Sequence, residues 1–182
     1  MEDKDFLPTI TQKWRLEIME NTSTEVGRVA KEAVVEALKG TGVKAQAVME
    51  TTADLVKKTI KGVGDFTVDI EKRGGEIVSG AIEGATEAGG DLFMTIKSTV
   101  HGIVKAGSDV GADVAKTAVA ATQGAIKAAG KAGTDISAAT KEAVMGAIEA
   151  GDKIGTDASK AVREALATSI KGAKDMIKPP TE

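Results

Sequence analysis

Few residues in this chain are equipped for chemistry. His101 is the sole imidazole and there is no cysteine, which removes disulfides, thiolate zinc sites and cysteine nucleophiles together. A lone histidine is a poor basis for a histidine-rich metal site or a histidine relay. It occupies a slot that Gln123 and Met145 fill further along, and so reads as a repeat position. Carboxylates form a column, Asp69, Asp91, Asp113, Asp135 and Asp157, at intervals of 22 residues. On one continuous helix that interval is about 33 Å, too far for two members to share an ion. They read as a solvated face or as helix N-caps. Gly62-Val63-Gly64-Asp65 has glycines like those of a phosphate loop but no following Lys-Ser/Thr and no preceding strand. The chain is therefore expected to be non-enzymatic, with no catalytic, metal-binding or cofactor-binding residue and no cofactor.

Composition points the same way. The 182 residues contain three Phe, one Trp and no Tyr, beside 21 Gly. Large side chains line most ligand pockets, so a deep aromatic-lined active site is not expected, nor a small-molecule substrate. A nucleic-acid partner calls for a basic excess or stripe, whereas 24 Lys+Arg stand against 27 Asp+Glu. The start, Met1-Glu2-Asp3-Lys4-Asp5, is acidic where a secretory signal is basic. The longest uncharged run in the repeats, Thr117 to Ile126, is about half a membrane span. A cytoplasmic protein is expected, with any contact to a membrane, lipid droplet or granule made at the surface.

The elements that would carry these residues are repeats. Gly102-Ile103-Val104-Lys105-Ala106, Gly124-Ala125-Ile126-Lys127-Ala128 and Gly146-Ala147-Ile148-Glu149-Ala150 superpose at 22 residues. Stepping back gives Gly80-Ala81-Ile82-Glu83, then Thr59-Ile60-Lys61, then Ala37-Leu38-Lys39. Another column reads Val34, Val56, Val78, Val100, Thr122, Val144, Leu166. Twenty-two is two elevens, and eleven residues make three turns at about 3.67 per turn. With Gly80, Gly102, Gly124 and Gly146 as position 1, charges gather at positions 4, 8, 12, 15 and 19, on one helix face. Apolar residues take the opposite face. The fold class is all-α, built of amphipathic helical repeats over residues 14–178. Residues 1–13 form an N-terminal cap or anchor with Phe6, Leu7 and Ile10, and Trp14 opens the repeats. Residues 179–182, beginning Pro179-Pro180, form a disordered tail.

Two architectures fit the repeat. The polar stripe holds its phase through the glycine segment, with Lys127, Lys131 and Asp135 aligned across Gly130 and Gly133, which favours one or two long continuous helices. The alternative is one helix per repeat joined by short turns. Gly133-Thr134-Asp135 and Gly155-Thr156-Asp157 look like a C-terminal glycine followed by an N-cap, and such a chain would zigzag into an antiparallel multi-helix bundle or short solenoid. Gly in an exposed helix costs roughly 1 kcal/mol relative to Ala, so a long helix would need a surface to stabilise it. That surface would meet a stripe of Val34, Leu38, Val56, Ile60, Val78, Ile82, Val100, Val104, Ile126, Val144 and Ile148. The pairs Gly107/Gly111 and Gly151/Gly155 would allow close helix packing, including with a second copy of the chain.

Thr140-Lys141-Glu142-Ala143-Val144 and Lys97-Ser98-Thr99-Val100-His101-Gly102-Ile103-Val104 resemble the Lys-Thr-Lys-Glu-Gly-Val repeats of the synucleins, and the period and composition are similar to those of the perilipins. The resemblance spans roughly residues 14–178 and implies a helix that folds on a lipid surface. Synuclein repeats are lysine-rich, whereas Lys and Asp/Glu balance here, which leans the expectation towards neutral surfaces. The expected function is coating of a lipid, membrane or storage-granule surface through the stripe. The alternatives are a self-associating bundle, scaffold or filament protein, and a stress protectant similar to the late-embryogenesis-abundant proteins.

Overall fold

A computed structural model describes residues 25–40, 43–60 and 66–177, with side chains outside the description at 59–60 and 66–72. The N-terminal segment, the Gly62-Val63-Gly64-Asp65 stretch, the tail, and the side chains of Ile60 and Asp69 thus lie outside the described residues. The described chain is helical throughout. Residues 25–39 form α1. After it come α2 (Lys44–Ile60), α3 (Phe66–Glu87), α4 (Leu92–Asp109), α5 (Val114–Lys131), α6 (Ile136–Ile154), α7 (Thr156–Ser169) and a single turn, α8 (Ala173–Met176).

The repeat is one helix plus one turn, so the continuous-helix expectation is corrected and its alternative stands. The breaks fall on the glycines at φ +65° to +78°, Gly89, Gly111 and Gly133, where a side chain would be strained. Each closes a helix with the same pair of bonds. The Ala112 N–H donates to the Gly107 carbonyl at 2.9 Å and the Gly111 N–H to Ser108 at 3.0 Å, the double bond of a Schellman cap. Two residues past each glycine an aspartate starts the next helix. Asp91, Asp113 and Asp135 accept from backbone N–H groups of the first turn. The carboxylate column is therefore a set of N-caps over these three repeats. Asp157 differs: α7 starts at Thr156 without a side-chain cap, and Asp157 sits in its first turn.

Through α6 the helices pack most closely on the helix two places earlier in the chain, and the position-1 glycines make this possible; α7 packs on both α5 and α6. Gly80 rides on Gly27 and Gly84 on Lys31, so α1 and α3 run parallel. Gly102 lies over Met49 of α2, where an added Cβ would sit 2.5 Å from the carbonyl oxygen. Gly124 meets Gly75 of α3, and a Cβ there would fall 2.9 Å from the Gly75 Cα. Gly146 covers Lys97 of α4, where it would fall 3.0 Å from the carbonyl carbon. Backbones touch at these points. Ion pairs follow the same rule: Lys31–Glu87 at 2.9 Å, Lys57–Asp109 at 2.5 Å and Lys97–Glu149 at 2.6 Å each tie a helix to the one two places on. Two layers result, α1, α3, α5 and α7 in one, α2, α4 and α6 in the other, packed face to face and connected by the turns.

The core between the layers is the apolar stripe itself. Val56, Val78, Val100, Val104 and Val144 are 0% exposed, and Val34, Leu38, Ile82 and Ile148 do not exceed 9%. Ile126 is half-buried. Alanines fill most of the remaining core, as the short spacing between glycine-bearing helices requires. The buried Thr95, Thr117 and Thr140 return their hydroxyls to the backbone four residues back, at Asp91, Asp113 and Ile136, whereas the buried hydroxyls of Thr99 and Thr122 have no partner among the described residues. Of the four glycines assigned to close packing, Gly151 faces α7, where an added Cβ would fall 3.3 Å from the Ser159 Cα, and Gly107 is buried in α4. Gly111 and Gly155 do not pack: both lie in turns, and a Cβ on either would meet nothing within 4 Å. The four-residue spacing overruns the ends of α4 and α6.

Candidate functional site

With the stripe consumed inside the fold, the outer faces are polar, and among the described residues they carry two adjoining clefts. Parallel α2, α4 and α6 leave a groove of about 500 Å³ bordered by Gln46, Met49, Lys105, Asp109, Lys153 and Ile154. A second cleft of about 390 Å³ adjoins it, bordered by Asp91, Phe93, Met94 and Glu142. His101 lines both. Its neighbour Gly102 explains why it is held there. The close seat of Gly102 on Met49 draws α4 against α2 and traps the preceding ring, 3% exposed, at the floor.

The ring is under electrostatic pressure. Its Nδ1 is sealed and has no hydrogen-bond partner among the described residues. An unpaired N–H is costlier to bury than an unpaired lone pair, so the neutral ring keeps its proton on Nε2, which is not among the sealed, unpartnered atoms. Burial first, then the Lys153 ammonium, push its pKa down to about 4; Lys105 and Lys97 act in the same sense, and Glu149 opposes them. Both carboxylates bordering the larger groove are engaged: Asp109 by Lys57 at 2.5 Å, and Glu50 by the Gln46 amide at 2.9 Å.

This ring makes stability depend on pH. Because the folded pKa of about 4 lies below the ordinary 6.5, the unfolded chain takes the proton first as pH falls. The contribution is fully present above about pH 6.5 and disappears between 6.5 and 4. We expect a loss of about 1–2 kcal/mol over that window, smaller than the full shift implies because water reaches the clefts. In His101→Gln the same interval should cost correspondingly less in urea titrations at the two pH values. An equal loss in both proteins would remove His101 as the cause.

No group of three or more potential metal ligands occurs among the described residues. The groove itself was not legible in the sequence, since its walls come from three repeats and its floor from a slot that looks interchangeable. No protein-family model, curated protein or solved structure matches the chain.

Proposed function

We propose that this chain is a non-enzymatic helical-repeat scaffold, working through its polar outer faces or through copies of itself. The observation behind this is the burial of the stripe: residues that a lipid coat would present outward are 0–9% exposed wherever their burial is described, Ile126 excepted. The fit between the chain's own helices is specific as well. Gly80, Gly102, Gly124 and Gly146 let neighbouring backbones touch, a specificity that a fluid surface does not need. No helix among the described residues is long and apolar enough to cross a membrane.

A second reading rests on the same core. Alanine dominates the packing of α5 and α6, and a buried alanine contributes less than a Val or Ile, worth about 1.5–3 kcal/mol. Such a stack could open on a lipid or granule surface and lay its stripe there, as the synuclein and perilipin resemblance implies.

Far-UV circular dichroism with neutral and anionic vesicles separates the two. The scaffold reading expects high helicity in buffer, a cooperative melt, and no response to lipid. Low helicity in buffer that climbs with lipid would overturn it in favour of coating.

A further inference from the structure

We propose that the groove across α2, α4 and α6 binds a small oxyanion, a phosphate or carboxylate group, between Lys105 and Lys153 with His101 at its floor. This is a ligand and not a substrate, and the proposal does not depend on the scaffold reading.

The charges in and around the groove single out that ligand. Asp109 is held by Lys57 and Glu149 by Lys97; Glu50, whose partner is the uncharged Gln46 amide, keeps its charge at an exposed position on the α2 side of the groove, where water screens it. Lys105 and Lys153 have no ion-pair partner among the described residues. Both border the groove, and both act on the ring from it, Lys105 from the next turn of α4 and Lys153 from α6. Two ammoniums without an ion-pair partner, and a ring that is 3% exposed with its proton on Nε2, set three donors around one groove. An oxyanion supplies acceptors to all three. The adjoining cleft is excluded by its own walls, since Asp91 and Glu142 line it and would repel an anion. Apolar Met49 and Ile154 border the larger groove, leaving room for a short uncharged portion beside the charged head.

Since His101 is the only histidine, its imidazole protons give a single reporter in proton NMR of the intact chain. Inorganic phosphate, acetate, phosphatidylcholine vesicles, and the same vesicles containing phosphatidic acid would each be titrated against sodium chloride of equal ionic strength. Phosphate or acetate should move the imidazole resonance saturably and raise the pH at which the ring titrates. The combined K105Q/K153Q variant, altered only at exposed positions, should weaken that response about tenfold or more. A response to phosphatidic-acid vesicles but to neither free anion would also support the site and assign the oxyanion to a lipid headgroup. A resonance that moves no more than with chloride under any of these, or that responds equally in K105Q/K153Q, would overturn the proposal.

Discussion

Gly146→Ala lowers the melting temperature by about 6–12 °C, although helix propensity alone predicts the opposite. In an exposed helix the change gains roughly 1 kcal/mol. Here the new Cβ would fall 3.0 Å from the Lys97 carbonyl carbon and 3.2 Å from its Cα, and backbone cannot rotate aside as a side chain can. Parting α6 from α4 costs about 3 kcal/mol, the upper part of the range for overpacking, and for a chain of this size each kcal/mol is worth about 2–4 °C. Gly133→Ala is the matched control. Its φ of +70° disfavours alanine, but the space is open, so the cost stays at about 1 kcal/mol. Differential scanning calorimetry on the two variants distinguishes contact from conformation. Equal, small effects would mean that the α4–α6 contact is looser than described.

Val104→Asp has a larger effect still: it abolishes the cooperative unfolding transition at neutral pH. Val104 is 0% exposed in the main core, and no cation is placed to pair with a carboxylate there among the buried residues described. Burying a charge without a partner exceeds about 4 kcal/mol, a large share of the stability of an ordinary domain. Ile136→Asp, at a residue 52% exposed in the first turn of α6, should shift stability by no more than about 0.5 kcal/mol. Urea titration followed by circular dichroism gives both numbers. A Val104→Asp protein that kept a wild-type transition would place the stripe on the surface and restore the coating function as the primary reading.

Helix, period and apolar stripe were legible because each is a local property of a helix face. Val34, Val56, Val78, Val100 and Val144 face the core for the same reason that they share a column. The break in the helix was harder to see, for a geometric reason. Twenty-two residues make six turns of about 3.67 residues, so an 18-residue helix followed by a four-residue turn restarts in the phase that an unbroken helix would have kept. The alignment of Lys127 with Lys131 and Asp135 therefore could not discriminate between them. What discriminates is chemistry at the junction, the positive-φ glycine two residues before a capping aspartate, visible at Gly111-Ala112-Asp113 and Gly133-Thr134-Asp135.

The glycines carry two roles that composition merges into one. Gly89, Gly111 and Gly133 end helices, while Gly80, Gly102, Gly124 and Gly146 bring helices together. Only the first role has a local signature. The second depends on which helix lies alongside, and that partner is two repeats away. The same non-local packing hides His101: nothing in Val100-His101-Gly102 says that α2 and α6 will close over the ring, while its equivalent in the next repeat, Gln123, is exposed.

The central claim is that each repeat folds back and packs against the helix two places earlier, and its most direct test is small-angle X-ray scattering of the free chain in buffer. A stack of this kind has a radius of gyration of about 16–20 Å, the value expected of a compact chain of this length with some elongation. One continuous helix over the repeats would be more than about 200 Å long, with a radius of gyration several times larger. A value near 18 Å with a bell-shaped Kratky plot is the predicted result. Rod-like scattering, or the profile of an expanded coil, would contradict it.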